Sequence, residues 1–308
     1  MMGEHADQLH RLLAAGTQAK GEPLLIEHKM LDHGYVRYVN HMGNDLTPLE
    51  AARMSTDKET GVDVEADDRL RERLWRDLHT TPFEQCELVV ELQLPIFCLR
   101  QIDRHRTVAR DETIIEVIET IDETMHAHTT RNEFSGRYST MPDLFYIPAA
   151  DRVRKKGTAN KQGSSEPLAE EQQREWSGRW AGEARHARVV YEEAVATGMA
   201  SELARIHLPL NQYTKLRLKA CLLNWLKFLN LRLRPDVQWE TRLYAQAIGR
   251  ICRVLWPKTW AVFEEHSLYS VRLSRTERQL LLAVLPGGEG VKALLAKLAD
   301  PGDFLEVE

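Results

Sequence analysis

Residues 86–94, CELVVELQL, alternate apolar and polar side chains as a half-buried β-strand does. Pro95 closes the strand and opens a helical run, IFCLRQIDRHR, that ends on Arg104, His105 and Arg106. This strand-to-helix step sets the frame for the rest of the chain. A hairpin is expected at 24–39, broken by the turn signal Asp32-His33-Gly34. Thr47-Pro48 reads as N-cap and first position of a helix over 49–55, and a charged helix follows at 66–79. Residues 110–128 place Ile114, Ile118, Ile121 and Met125 on one helical face and acids on the other. A polar strand-like piece at 132–139 comes next, then a Lys/Gly/Ser-rich loop at 151–165 of the kind that stays mobile. Helices are expected at 166–197, 199–207, 215–232 and 238–263. An N-terminal extension at 1–24 and a helical tail at 266–308 flank them, and no internal repeat is seen.

With 308 residues, 43% hydrophobic and 28% charged, the chain can build a core without disulfide staples. It holds no apolar run of the roughly 18 residues that span a bilayer. Its start lacks a basic region followed by an apolar one, so a cytoplasmic protein with no membrane partner is expected. Cys86, Cys98, Cys221 and Cys252 are scattered in apolar surroundings and read as buried free thiols. A net charge of −5 argues against a nucleic-acid partner.

The charge is unevenly spread. Residues 203–235 carry Arg205, Lys215, Arg217, Lys219, Lys227, Arg232 and Arg234 without one acid. Either an anion lies nearby or basic side chains lie over apolar surface with their heads in water. There is no GxGxxG, no GxxxxGK[ST] and no HExxH or CxxC pair, so Rossmann, P-loop and metal readings are dropped. Arg104-His105-Arg106 by itself could simply answer a helix dipole. In the run Asn132 to Tyr138, however, Gly136 lets the backbone approach a ligand, and Ser135 and Arg137 can donate to phosphate. Together with Arg205 and Arg232, these are more forked donors than a structural ion-pair network requires, and they point to multiply phosphorylated ligands.

Arg104-His105-Arg106 followed by Asn132-Glu133-x-Ser135-Gly136-Arg137-Tyr138-Ser139 resembles the RHR-x7-S signature of flavin-dependent thymidylate synthases, split by an insertion at about 109–129. Ordered flanks agree: Asp32-His33-Gly34, Gly43-Asn44-Asp45, Ala51-Ala52-Arg53, His79-x-Thr81-Pro82, Arg100-Gln101, Leu208-Pro209-Leu210-Asn211-x-Tyr213-Thr214 and Gln238-Trp239-Glu240. The resemblance covers about 30–265 of what is expected to be a single domain.

This resemblance implies an α+β fold with a central antiparallel sheet flanked by helices, assembled as a homotetramer whose active sites are shared between subunits. It implies methylation at C5 of dUMP, with methylenetetrahydrofolate as carbon donor and FAD, reduced by NADPH, as hydride donor. Carried over residue by residue, the catalytic set is Arg232, Ser135 and His79. Thr81, Arg104, His105, Arg106, Glu133 and Lys227 would hold the flavin. Gln101, Arg104, Glu133, Ser135, Gly136, Arg137, Arg205 and Arg232 would hold the nucleotide. An Asn-x-Arg and a further Asn that family members often carry on the flavin side fall here on Cys221, Leu222, Leu223 and Lys227. The chain also resembles the uridylate methylases of nucleoside-antibiotic pathways, which accept UMP as well as dUMP. The alternative is a nucleotide-binding pseudoenzyme of the same fold that has lost FAD.

Overall fold

The computed structural model describes residues 27–56, 59–105, 129–158, 163–274, 276, 277 and 280. The N-terminal extension, Arg106, all but the last residue of the 109–129 insertion and most of the tail lie outside these residues.

Strands β1 (Glu27–Met30) and β2 (Gly34–Met42) form the expected hairpin. Helices α1 (Thr47–Arg53) and α2 (Val64–Arg76) follow, then β3 (Glu87–Pro95) and α3 (Ile96–Ile102). After β4 (Thr129–Glu133) come the short strands β5 (Arg154–Lys156) and β6 (Ser164–Pro167), the long α4 (Glu170–Ala196) and α5 (Ser201–Ala204). The chain then forms β7 (Tyr213–Cys221), α6 (Leu222–Arg232), α7 (Trp239–Leu255) and α8 (Pro257–Phe263).

The main sheet is antiparallel in the order β1-β2-β3-β7-β4. Its alternation is that of a sheet covered on one side. Val36, Leu88, Val90, Leu92, Leu94, Leu216 and Leu218 are buried in one core with Trp225, Phe228 and Leu229 of α6 and Tyr244, Ile248 and Ile251 of α7. The other face is polar and cross-paired: Glu91 takes Arg37 at 2.8 Å and Arg217 at 3.2 Å, and Glu87 takes Lys219 at 2.8 Å. Two of the conspicuous cations at 203–235 are therefore answered by acids of the neighbouring strand.

The helix expected over 215–232 is corrected here: its first part is the strand β7, and helix begins only at Leu222. Leu, Lys, Arg and Ala all favour helix, but Lys215, Arg217 and Lys219 alternate with Leu216, Leu218 and Ala220. Pairing on both edges, with β3 and with β4, overrides the local preference. The helix expected at 238–263 is broken at Trp256, where Pro257 starts α8. Strand structure in 132–139 stops at Glu133, and the loop at 151–165 contains β5 and the start of β6. The helix after β3 ends at Ile102, so Arg104 and His105 follow the helix instead of forming its last turn. Thr129, the end of the expected inserted helix, opens β4.

The position of β7 repairs the split motif. Its first residue, Tyr213, pairs with Pro95, the last of β3, and its Leu216 pairs with Glu133, the last of β4. The start of α3 and the loop after β4 therefore leave the sheet at the same end. Two acids of the motif flanks, Asp32 and Asp45, serve the frame itself. Asp32 accepts from the Ile147 backbone N–H at 3.1 Å and from the Tyr213 hydroxyl. Asp45 accepts from the backbone N–H and hydroxyl of Thr259 at 2.8 and 2.7 Å, anchoring the first turn of α8.

Candidate active site

Pro95 is extended, with φ −63° and ψ 144°, and turns the chain from β3 into α3. Cys98, Leu99 and Ile102 face the core, which leaves Arg100 and Gln101 on the outer face. The Gln101 side chain donates to Gln238, and its backbone carbonyl accepts from Arg232 Nη2 at 2.9 Å. Arg232 ends α6, and its Nε is buried without a partner among the described residues. Burial pulls its pKa down from the ordinary arginine value. The His105 ring meets Phe228 edge-on at 5.0 Å, and its Nε2 also lacks a partner among the described residues. Burial, reinforced by the Arg232 charge, pushes His105 down to about 4, so the imidazole is neutral at pH 7.

The loop after β4 folds tightly. Phe134 N–H donates to Lys215 O at 2.7 Å, and Tyr138 N–H to Ser135 O at 3.1 Å. The Ser135 hydroxyl oxygen accepts from Arg137 N–H at 3.3 Å. Gly136 is needed for space: a Cβ there would lie 2.6 Å from Met141 Sδ and 3.2 Å from Arg205 Cδ. Beside it opens a cavity of about 390 Å³ lined by Arg100, Arg131, Glu133, Gly136, Arg205 and Thr214, among others. Arg100 and Arg205 bring guanidinium groups to this cavity, Glu202 also lines it, and Arg131 is taken up by Asp103 and Glu133. Glu133 is fully engaged there, by the Thr214 hydroxyl at 2.9 Å and by Arg131. Arg137 is exposed and pairs with Glu202 at 3.5 Å.

Of the remaining expected residues, His79, Thr81 and Lys227 lie on other elements. His79 borders a second cavity, of about 590 Å³, with Ala52 and Arg53 of α1, Arg73 of α2, and Thr56 and Asp77 just beyond these helices. Its lining shares no residue with the first. Thr81 opens a 3₁₀ turn, Thr81–Gln85, that packs on α6. On that helix Lys227 is exposed, whereas Cys221 and Leu223 are each 2% exposed and belong to the core. The positions on which the resemblance places Asn-x-Arg therefore face inward here, and Lys227 is the polar group that this stretch leaves outside. One chain thus brings Gln101, His105 and Arg232 together, and Glu133, Gly136 and Arg205 around one cavity, but groups His79 separately.

Sequence reasoning gave Arg100 and Thr214 only as motif flanks, not as cavity residues, and missed Arg131 altogether. The signal for Arg131 was its place two residues before Glu133 on the same strand face. All four cysteines are buried free thiols. Burial pushes Cys86 up to about 12 and raises the other three, so none offers a thiolate nucleophile. Among the described residues no cluster of His, Cys, Asp and Glu could hold a metal, and no helix is long and apolar enough to cross a membrane.

Fold and site together define an α+β protein with an arginine-lined cavity at one end of an antiparallel sheet. The family model described as thymidylate synthase complementing protein matches residues 37–258. The flavin-dependent thymidylate synthase of Thermus thermophilus is 37% identical over 289 residues, covering 90% of this chain and 97% of its own. That of Wolbachia pipientis wMel is 36% identical over 261 residues, covering 85% and 84%. The crystal structure of the UMP/dUMP methylase PolB from Streptomyces cacaoi, bound with 5-Br dUMP, superposes with a TM-score of 0.64 at 24% identity. That match covers 78% of this chain and 99% of the other. The chain belongs to the flavin-dependent thymidylate synthase family.

Proposed function

We propose that this enzyme methylates C5 of a uridine monophosphate, dUMP or UMP, taking the carbon from methylenetetrahydrofolate. The observation that carries the reading is the cavity in which Arg100 and Arg205 stand beside Gly136. It is the chemistry a nucleoside phosphate needs, at the residues where the family's nucleotide motif falls.

Gly136 admits the phosphate close to the backbone, and Arg205 and Arg137 neutralise it. Arg232 takes the uracil edge. A guanidinium cannot serve as a base, but at O2 and N3 it stabilises the N3 anion and so raises electron density at C5. Neutral His105 leaves Arg232 as the cation at that end of the site. With every thiol protonated, activation through an anion replaces activation by a cysteine nucleophile.

When bound, FAD reduced by NADPH would supply hydride for reduction of the transferred carbon to a methyl group. The unpartnered His105 Nε2, Arg104 beside it and exposed Lys227 form a donor set that suits a flavin nucleotide. Two cavities on different elements of one chain support a homotetramer in which one subunit's His79 and Thr81 meet another's nucleotide loop.

The test is incubation with FAD, NADPH, methylenetetrahydrofolate and either dUMP or UMP, followed by chromatography and mass measurement of the nucleotides. A product heavier by one CH₂ group is expected. Unchanged nucleotide from a protein that binds it would favour the pseudoenzyme reading.

A further inference from the structure

The motif that makes the nucleotide site is interrupted between Arg106 and Asn132, and the sheet alone fixes only where its two halves leave the strands. One side chain spans the break directly. Arg131 Nη1 donates to Asp103, the residue that caps α3 just before Arg104, and Nη2 donates to Glu133, two residues before Ser135. The other oxygen of Glu133 is held by Thr214 of β7. Arg131 and both acids are largely sheltered, with 20–30% of each side chain exposed. Burial raises the Asp103 pKa, Arg131 opposes that rise, and the neighbouring Glu133 adds to it.

The charges explain why such a bridge is required. Glu133 lines the cavity, and Asp103 lies close enough to feel the charges of Glu133 and Arg100 in its lining. Left uncompensated, both carboxylates would repel a phosphate and would be free to take Arg100 or Arg205 away from it. One planar fork answers both acids at once, which a single ammonium point charge cannot do with the same geometry.

We infer that Arg131 is a positioning residue that closes the interrupted motif, holding Asp103 and Glu133 so that the arginines of the cavity remain available to the nucleotide. This rests on the reading of the cavity as a uridine nucleotide site. Arg131 acts through its two partners and not by contact with the phosphate. Its loss should weaken nucleotide binding with little effect on turnover at saturation, and the effect should depend on Asp103.

The experiment is calorimetric titration of dUMP into wild type, Arg131→Gln, Arg131→Lys, Asp103→Asn and the Asp103→Asn/Arg131→Gln double variant, with thermal melting of each. Arg131→Gln should weaken dUMP about tenfold, as expected for a coupled network. The double variant should bind no more weakly than Arg131→Gln alone, and Arg131→Lys should fall between Arg131→Gln and wild type. Nucleotide KM should rise with kcat nearly unchanged. Unaltered dUMP affinity in Arg131→Gln overturns the inference. So do losses that multiply in the double variant, which would mean that Arg131 touches the phosphate itself. If Arg131→Gln does not fold, Arg131→Lys against Asp103→Asn makes the same comparison. Wild type that fails to bind dUMP contradicts the functional reading, whereas wild type that binds with an indifferent Arg131→Gln contradicts only the bridge.

Discussion

Arg232 donates through Nη2 to the backbone carbonyl of Gln101 at 2.9 Å, joining the end of α6 to the end of α3. That bond occupies one arm of the fork and leaves Nε buried and unpartnered among the described residues. The remaining donors suit a planar ring edge. Replacement by lysine keeps the charge but cannot address two ring atoms while holding Gln101. Arg232→Lys should lower kcat about a hundredfold or more, as loss of a donor at a developing anion does. Nucleotide titration should still show weakened but measurable binding.

His105 carries the pH dependence of the same corner. Its folded pKa, about 4, lies below the unfolded value near 6.5, so the unfolded chain takes the proton first as pH falls. The contribution of this group to stability is therefore full above about 6.5 and declines as pH falls toward 4. In His105→Asn that decline is absent. Melting temperatures of the two proteins, compared from neutral pH downward, should shift in favour of the variant on the acid side. Parallel curves would contradict the burial of a neutral imidazole.

Gly136→Ala tests how tightly the nucleotide loop packs. The added Cβ would meet Met141 Sδ at 2.6 Å and Arg205 Cδ at 3.2 Å. Methionine can yield at modest cost, but Arg205 must shift within the cavity. Nucleotide KM should rise several-fold while the melting temperature falls only slightly, because this loop lies away from the main core.

The central strand offers a test of the fold alone. Leu218 is fully buried in β7, between β3 and β4. Leu218→Ala should cost about 2–5 kcal/mol in urea unfolding, the range for large-to-small core replacements. A cost below about 1 kcal/mol would argue against a strand at this position.

How much could be read from the sequence follows from what each element depends on. The β3 to α3 step was legible because alternation and Pro95 are local signals. β7 was hidden, since its residues are helix formers and its strand state comes from β3 and β4 on its two sides. The first half of the site, Glu133, Gly136 and Arg205, followed from the motif. Arg131 did not, because its partner Asp103 lies 28 residues earlier, across the insertion. The motif also could not show that His79 would border a different cavity from Arg205, since order along the chain says nothing about which face of the molecule a residue reaches.

The central claim is substitution at C5 of the uracil ring, and release of tritium from [5-³H]dUMP reads that bond directly. With FAD, NADPH and methylenetetrahydrofolate present, wild type should release tritium to water in step with formation of methylated nucleotide, and Arg232→Lys should release almost none. Retention of tritium by wild type that binds dUMP and receives all three co-reactants would contradict the account.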